Sequence, residues 1–485
     1  MTKSNKFIRM KISKLFFGAL LSPLFVTPIF TKAQQTIASK ITTGFQQFIN
    51  QPNLKNGIAS MYVLDAKNGN VVFEKNSQIG LPTASTLKVI TSITALDILG
   101  PEYTYQTTLY YTGEIDSLGI LHGDIVIQGS GDPTLGSDRY PEQREEQVLT
   151  KWSRAIKDAG IQQINGRIIG DDRLYVGNDI PGGWIWTDIG NYYGAGISAL
   201  NWRENKTGIN FKPSTIGSPA PVSDIIADIS YLSIVNQVTT GAKGSGDNVY
   251  AYSAPYSEKI YLRGSYGQDL KKTIEISIPD PAYDVAHQLH SRISADGIAI
   301  FENPTTGQRL IEQDSVFPLK TKDLNIHQSP KLIDIVYWFN QKSINLYGEA
   351  LLKSIGYFTG NKTTTSGGAT YVKKYWNQKL RIQEQELDIK DGSGLSPQNN
   401  VTTAAMTGIM QYAISRPWYV NFVKALPTYN QMTMKSGTIG GTLGYTGYHT
   451  AKDGKTYTFT LLVYNYNGGA AKMRQNMFKV LDNLK

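Results

Sequence analysis

Strand-like apolar runs and helically spaced apolar residues alternate along this chain and divide it into three stretches. Residues 58–74, IASMYVLDAKNGNVVFE, place two strand-like runs on either side of Asn68-Gly69-Asn70 and predict a β-hairpin. Leu81-Pro82-Thr83-Ala84 then leads into a predicted helix over 85–99. Its apolar residues Leu87, Val89, Ile90, Ile93, Ala95, Leu96, Ile98 and Leu99 cover nearly the whole circumference, so the helix belongs inside a core. Gly100-Pro101 ends it. From about 107 to 270 the texture is short β-type runs such as Ile125-Val126-Ile127 and Ile260-Tyr261-Leu262, separated by Gly, Pro, Asn and Asp, with one helical insert over 145–159. Helical spacing returns over 282–293 and 330–355. A second hairpin is predicted from 445–450 and 457–466 around Asp453-Gly454, and an amphipathic helix over 470–484 closes the chain.

An α/β body therefore stands at both ends, with a β-rich block of about 200 residues between them. No fixed-period repeat is present. The simplest topology is one domain interrupted by an insertion, because the termini of a domain often lie close together.

The first residues form a different kind of segment. Lys3, Lys6, Arg9, Lys11 and Lys14 precede an apolar run from Leu15 to Phe30 broken by Pro23 and Pro28, and Thr31-Lys32-Ala33 ends on a small residue. This basic, apolar, small-residue order predicts a secretory signal peptide over 1–33, cleaved after Ala33. The apolar run is about 16 residues, short of the roughly 20 that span a bilayer. The expectation is an exported, periplasmic protein.

Composition narrows the chemistry. The chain has 485 residues, 40% hydrophobic and 18% charged, enough apolar content to bury sizeable cores. It has no Cys, which removes disulfide scaffolds, thiolate metal sites, Cys nucleophiles and lipid attachment to Cys. The five histidines are scattered, with only His287 and His290 close together, so a zinc hydrolase is not expected and no metal or organic cofactor is called for. The formal charge is +9, but 1–33 holds six basic residues and no acid, leaving a mild +3 with no basic run. No nucleic-acid partner is expected.

Three short motifs stand out. Ser85-Thr86-Leu87-Lys88 puts a hydroxyl and an amine three residues apart on one face at a helix start. A serine needs such a base to become a nucleophile, and a lysine within so apolar a helix asks for a reason. Ser343-Ile344-Asn345 precedes a helical run, and Lys435-Ser436-Gly437-Thr438 lies on a predicted strand, its Gly admitting a ligand's backbone. Each has a plainer reading alone: a solvated Lys, a helix cap, an edge strand protected by a charge. Together and in this order, Ser-x-x-Lys, Ser-x-Asn and Lys-Ser/Thr-Gly form the active-site set of the penicillin-recognising acyl-serine enzymes. More than half the chain separates Ser85 from Ser343, far wider than in a class A β-lactamase.

At this point the chain resembles the D-alanyl-D-alanine carboxypeptidase/endopeptidases of the low-molecular-mass class C penicillin-binding proteins. The likeness runs through Pro82-Thr83-Ala84-Ser85-Thr86-Leu87-Lys88, Gly129-Ser130-Gly131-Asp132-Pro133-Thr134-Leu135, Gly170-Asp171-Asp172, Gly183-Trp184-Ile185-Trp186, Tyr193-Gly194-Ala195, Ser198-Ala199-Leu200 and Asp391-Gly392-Ser393-Gly394-Leu395-Ser396. The resemblance implies an α/β (α+β) transpeptidase/β-lactamase-like domain, its antiparallel sheet flanked by helices, interrupted by two nested β-rich inserted domains. The expected division is a catalytic domain of 34–106 and 305–485, an inserted domain of 107–180 and 271–304, and a nested one of 181–270. Two positions depart from the family: Pro397 stands where many relatives place Arg, and Gly440 where Gln is frequent. Both bear on recognition of the substrate's side chains rather than on the reaction.

The resemblance also implies roles. Ser85 attacks the carbonyl between two D-alanines and Lys88 takes its proton. Lys435 nearby and burial lower the lysine's basicity. Ser343 passes a proton to the departing amine, and Asn345 holds Lys88 and the substrate amide. Lys435 with Ser436 or Thr438 binds the terminal carboxylate, and the backbone N–H groups of Ser85 and Thr438 form the oxyanion hole beside Gly437. Peptidoglycan stem peptides are the expected substrate and β-lactams the expected inhibitors. Oligomeric state and stem-peptide identity are left open.

Other residues receive blander expectations. Trp184, Trp186, Tyr192 and Tyr193 pack between domains rather than line a groove, Asp171 and Asp172 shape a turn or face a cationic group of the peptide, and Asp391 and Ser393 shape a loop near the site. The rivals are a β-lactamase, whose deacylating carboxylate the local sequence around Glu349, near the second motif, does not support, and a non-catalytic wall-binding relative.

Overall fold

The computed structural model describes residues 36–485; the expected export segment, 1–33, lies outside the described residues. Among the described residues no helix is long and apolar enough to cross a membrane.

The two ends of the chain build one sheet. Its order is Val71–Lys75, Ile58–Asp65, Thr456–Tyr464, Thr442–Thr450, Met432–Ile439 and Thr428–Tyr429, antiparallel throughout. Both predicted hairpins are present, and the first strand of one pairs with the last strand of the other. Alternation along these strands produces two apolar faces. One face, with Met61, Val63, Met434 and Phe459, is covered by the Ile37–Ile49 and Ala470–Leu481 helices through Phe45, Phe48 and Met477. The other packs on helices, among them Thr403–Ala413, through hydroxyls rather than methyls alone. Ser60 meets Thr403 at 2.7 Å and Thr407 meets Thr460 at 2.9 Å, which satisfies polar groups sealed from water.

The predicted 85–99 helix appears as a 3₁₀ turn, Ala84–Leu87, continuing into the α-helix Lys88–Ile98, in which every residue from Lys88 to Leu96 is buried. Its polar residues find partners: Ser92 Oγ accepts from Asn340, and Thr94 Oγ1 accepts from Trp376 while donating to Ile90 O. The helical spacing over 330–355 resolves into two helices, Leu332–Gln341 and Asn345–Phe358. The break falls at Ser343, whose φ of 56° is left-handed and incompatible with a continuing helix.

The central block contains four smaller sheets. One has the order Thr305–Thr306, Ile168–Asp171, Ile125–Gln128, Gln106–Thr112, Lys320–Gln328, and another Val222–Ile225, Lys206–Phe211, Ile274–Ser277. Both sheets cross the divisions expected from sequence: residues 305–306 and 320–328 lie beyond position 304, and 274–277 beyond 270, yet they complete sheets of the insertion. Lys320–Gln328 is a polar edge strand with little apolar alternation, so the pattern concealed it. The helices Glu145–Asp158 and Pro281–Ala295 pack together in the same block, where Trp152 stacks on Trp202 with centroids 6.3 Å apart.

Candidate active site

Ser85 lies in the 3₁₀ turn, not in the α-helix. At three residues per turn, positions i and i+3 eclipse, so Lys88 sits directly over Ser85. Lys88 Nζ is 2.9 Å from Ser85 Oγ, 2.7 Å from Asn345 Oδ1 and 2.6 Å from the carbonyl of Ser393. Lys88 is fully buried and Ser85 only half so: the amine lies beneath a hydroxyl that meets the outside. The Phe339 ring centroid is 5.7 Å from the same nitrogen. Burial, and after it the neighbouring Lys435, hold the Lys88 amine well below the ordinary lysine range.

Asn345 is the first residue of its helix. Its Nδ2 donates to the carbonyl of Tyr193, 2.8 Å away in the β-rich block, and this fixes Oδ1 toward Lys88. Ser343 stands two residues earlier in the left-handed bend, half-buried. The third motif arrives on Met432–Ile439. Lys435 is 1% exposed, its Nζ donates to the carbonyl of Ser436 at 2.9 Å, and burial lowers its pKa to about 7. Ser436 is half-buried, and Thr438 is exposed with Oγ1 3.4 Å from Arg474 Nη2.

Gly437 admits the protein's own backbone where a ligand's was expected. A Cβ there would stand 2.7 Å from Thr83 O, 2.9 Å from Thr86 N and 3.1 Å from Ser85 N. The missing side chain lets the lysine strand press against the turn that carries the nucleophile, so the first and third motifs meet backbone to backbone.

The Asp391–Ser396 loop forms the floor. Asp391 accepts from Trp184 Nε1 at 2.9 Å, Gly394 N at 2.7 Å, Ser396 N at 2.6 Å and Asn399 Nδ2 at 2.9 Å. So tied, the loop delivers the Ser393 carbonyl to Lys88. Gly394, at φ 83°, slides under the Ala84 carbonyl, where a Cβ would come within 1.9 Å. Of the aromatic residues, Trp184 is buried on this loop, while Trp186 and Tyr192 are 57% and 48% exposed. Tyr192 and Tyr193 line an open cleft with Tyr250 and Lys272, a groove where interdomain packing was expected. Asp171 ends a strand and pairs with Arg173, and Asp172 accepts from Gln308 N at a distant helix start, a tie across the insertion rather than a turn contact.

Motif reading did not assign the places that four groups take around the site. The carbonyls of Ser393 and Tyr193 act through backbone atoms, which no residue type advertises. Arg474 comes from the last helix and is joined to the site only by the fold. Glu349, one helical turn after Asn345, carried a readable signal: an acidic residue in an otherwise apolar run. Among the described residues no group of three His, Asp or Glu side chains is arranged to hold a metal ion.

The profile of the D-Ala-D-Ala carboxypeptidase 3 (S13) family matches residues 42–484. A D-alanyl-D-alanine carboxypeptidase of Actinomadura sp. (strain R39) is 24% identical over 88% of this chain and 77% of its own length. The D-alanyl-D-alanine carboxypeptidase DacB of Haemophilus influenzae is 21% identical over 83% and 85%. The crystal structure of penicillin binding protein 4 (dacB) from Haemophilus influenzae superposes with a TM-score of 0.76 at 19% identity, covering 93% of this chain and 98% of that one. The same protein in complex with a β-lactam gives 0.70, and both share this architecture.

Proposed function

Because the chain belongs to the D-Ala-D-Ala carboxypeptidase 3 (S13) family and is a serine-type carboxypeptidase, we propose that it is exported and trims peptidoglycan stem peptides, or opens their cross-links, through an acyl-serine on Ser85. The observation that carries this reading is the set of partners around Lys88 Nζ. A free amine has two hydrogens and one lone pair. Two of its three neighbours are carbonyl oxygens, which only accept, and the third is a hydroxyl. In the free amine the hydrogens go to Asn345 Oδ1 and Ser393 O, and the lone pair faces the Ser85 proton. Three acceptors would serve an ammonium as well; burial, and after it the neighbouring Lys435, favours the free amine and so a base at rest.

In acylation, Ser85 Oγ bonds to the carbonyl carbon as its proton moves to Lys88. The backbone N–H groups of Ser85 and Thr438 receive the oxyanion, an interaction worth about 3–4 kcal/mol per donor in other enzymes. The C–N bond breaks, and the departing amine takes its proton by way of Ser343. Water then hydrolyses the ester. Lys435, with Ser436 and Thr438, receives the terminal carboxylate. Near neutral pH a buried amine of pKa about 7 is charged readily by an arriving anion. A β-lactam acylates the same serine and leaves slowly.

Labelling with a fluorescent penicillin tests the assignment. The wild type is labelled and Ser85→Ala is not; equal labelling of both refutes it, and rapid continuous β-lactam hydrolysis would instead indicate a β-lactamase. The basic, apolar, small-residue order of 1–33 supports export, and periplasmic protein whose first residue is Gln34 would establish the cleavage site.

A further inference from the structure

A second acid lies under the site and takes no part in the steps above. Glu349 is 0% exposed and stands four residues after Asn345, so one helix face presents both side chains toward Lys88. Its Oε2 accepts from Gly392 N at 2.9 Å, while Oε1 is sealed from water without a hydrogen-bond donor, the Ser393 side chain being close by. Beyond the Ser393 hydroxyl and Lys88 nearby, an anionic oxygen in that position has little to stabilise it against full burial, whereas a hydroxyl there costs less. The neighbouring carboxyl is different: Asp391 accepts four hydrogen bonds and is satisfied as an anion.

We infer that Glu349 is a positioning residue that holds the resting proton of the buried Glu349–Lys88 pair, leaving Lys88 as the free amine that a base must be. The inference rests on Lys88 acting as the base. The groups facing Glu349 agree with it. Asp391 and Ser393 come from the loop, Lys88 from the serine helix and Lys353 from one turn further along its own helix, while Lys435 bears on Lys88 from the strand. Four donors converge on Asp391 and one backbone donor on Glu349, so of two adjacent carboxyls the proton is better placed on Glu349. Burial first, and the Asp391 charge second, raise the Glu349 carboxyl to about 8. Were Glu349 ionised, its charge would retain a proton on Lys88, and Ser85 would have to accept from an ammonium instead of donating to an amine.

The test is infrared spectroscopy of the full chain, wild type against Glu349→Gln, with carboxyl-¹³C glutamate so that buried aspartates do not contribute. The expected result at pH 7 is an un-ionised glutamic acid band in the wild type that Glu349→Gln lacks and that vanishes as the wild type is taken above about pH 8. Penicillin acylation of Glu349→Gln, a neutral mimic, should stay within about threefold of wild type with its acid limb unmoved. Absence of the band, or an acid limb displaced downward by about one pH unit or more, overturns the inference, since the latter is what breaking an ion pair produces. If Glu349→Gln does not fold, the pH titration of the labelled wild type decides alone. The band requires no activity, so its result is independent of the Ser85→Ala labelling.

Discussion

Asn345 Nδ2 donates to the carbonyl of Tyr193 across 2.8 Å, so the β-rich block fixes the orientation of the amide that presents its oxygen to Lys88. Asn345→Asp tests this directly. The substitution places a carboxylate oxygen against the Tyr193 carbonyl and an anion against Lys88, which raises the amine's pKa and keeps its proton on. Acylation by penicillin at pH 7 should fall by about two orders of magnitude, the lower range of what a mis-set general base costs. Stopped-flow labelling measures it.

Lys435 predicts an activity–stability trade. Its folded pKa is about 7 against an ordinary 10.5, because the amine is buried. Between those values the unfolded chain holds a proton that the folded chain lacks, so wild-type stability rises with pH across this window, and below pH 7 the whole penalty is present. Lys435→Met should therefore be more stable than wild type at pH 7 by roughly 3–5 kcal/mol, with the gain shrinking toward pH 10.5, and should lose β-lactam acylation. Denaturant titrations at pH 7 and pH 10 show both directions; a pH-independent difference would contradict the assignment.

Gly437→Ala should damage the site without touching a reacting side chain. The added methyl meets three backbone atoms of the Thr83–Thr86 turn, the nearest at 2.7 Å, and backbone cannot rotate aside. The expected cost is about 1–3 kcal/mol of stability. Acylation should fall with it, because the strand carrying Lys435 is pushed away from Ser85.

Arg474 stands on the final helix with its guanidinium reaching Thr438 Oγ1 at 3.4 Å, in a chain that has Pro397 where relatives often place Arg. Arg474→Ala should raise KM for peptides ending in a free carboxylate by about tenfold and leave kcat unchanged. Peptides ending in an amide should be indifferent to the change.

Residue types that chemistry demands, set at fixed spacing, made Ser85, Lys88, Asn345 and Lys435 readable as a set, and apolar residues spread around nearly the whole circumference of 85–99 announced a buried helix. What could not be read works through backbone. Ser343 enters a left-handed conformation that its own side chain does not favour, so the break between two helices was hidden inside one helical pattern. The carbonyls of Ser393 and Tyr193 could belong to any residue. Lys320–Gln328 joins its sheet by ladder hydrogen bonds with scarcely any apolar alternation. Arg474 is near Thr438 only because the closing helix runs back across the sheet.

The pairing of Ile58–Asp65 with Thr456–Tyr464 makes the first strand of the main sheet wait for the last. Contacts so distant along the polymer form late, after the intervening loop has been closed. A chain stalled midway through synthesis thus holds Ser85 and Lys88 with no strand to bring Lys435 to their pocket. Delivery of the final strands is therefore what arms the carboxypeptidase.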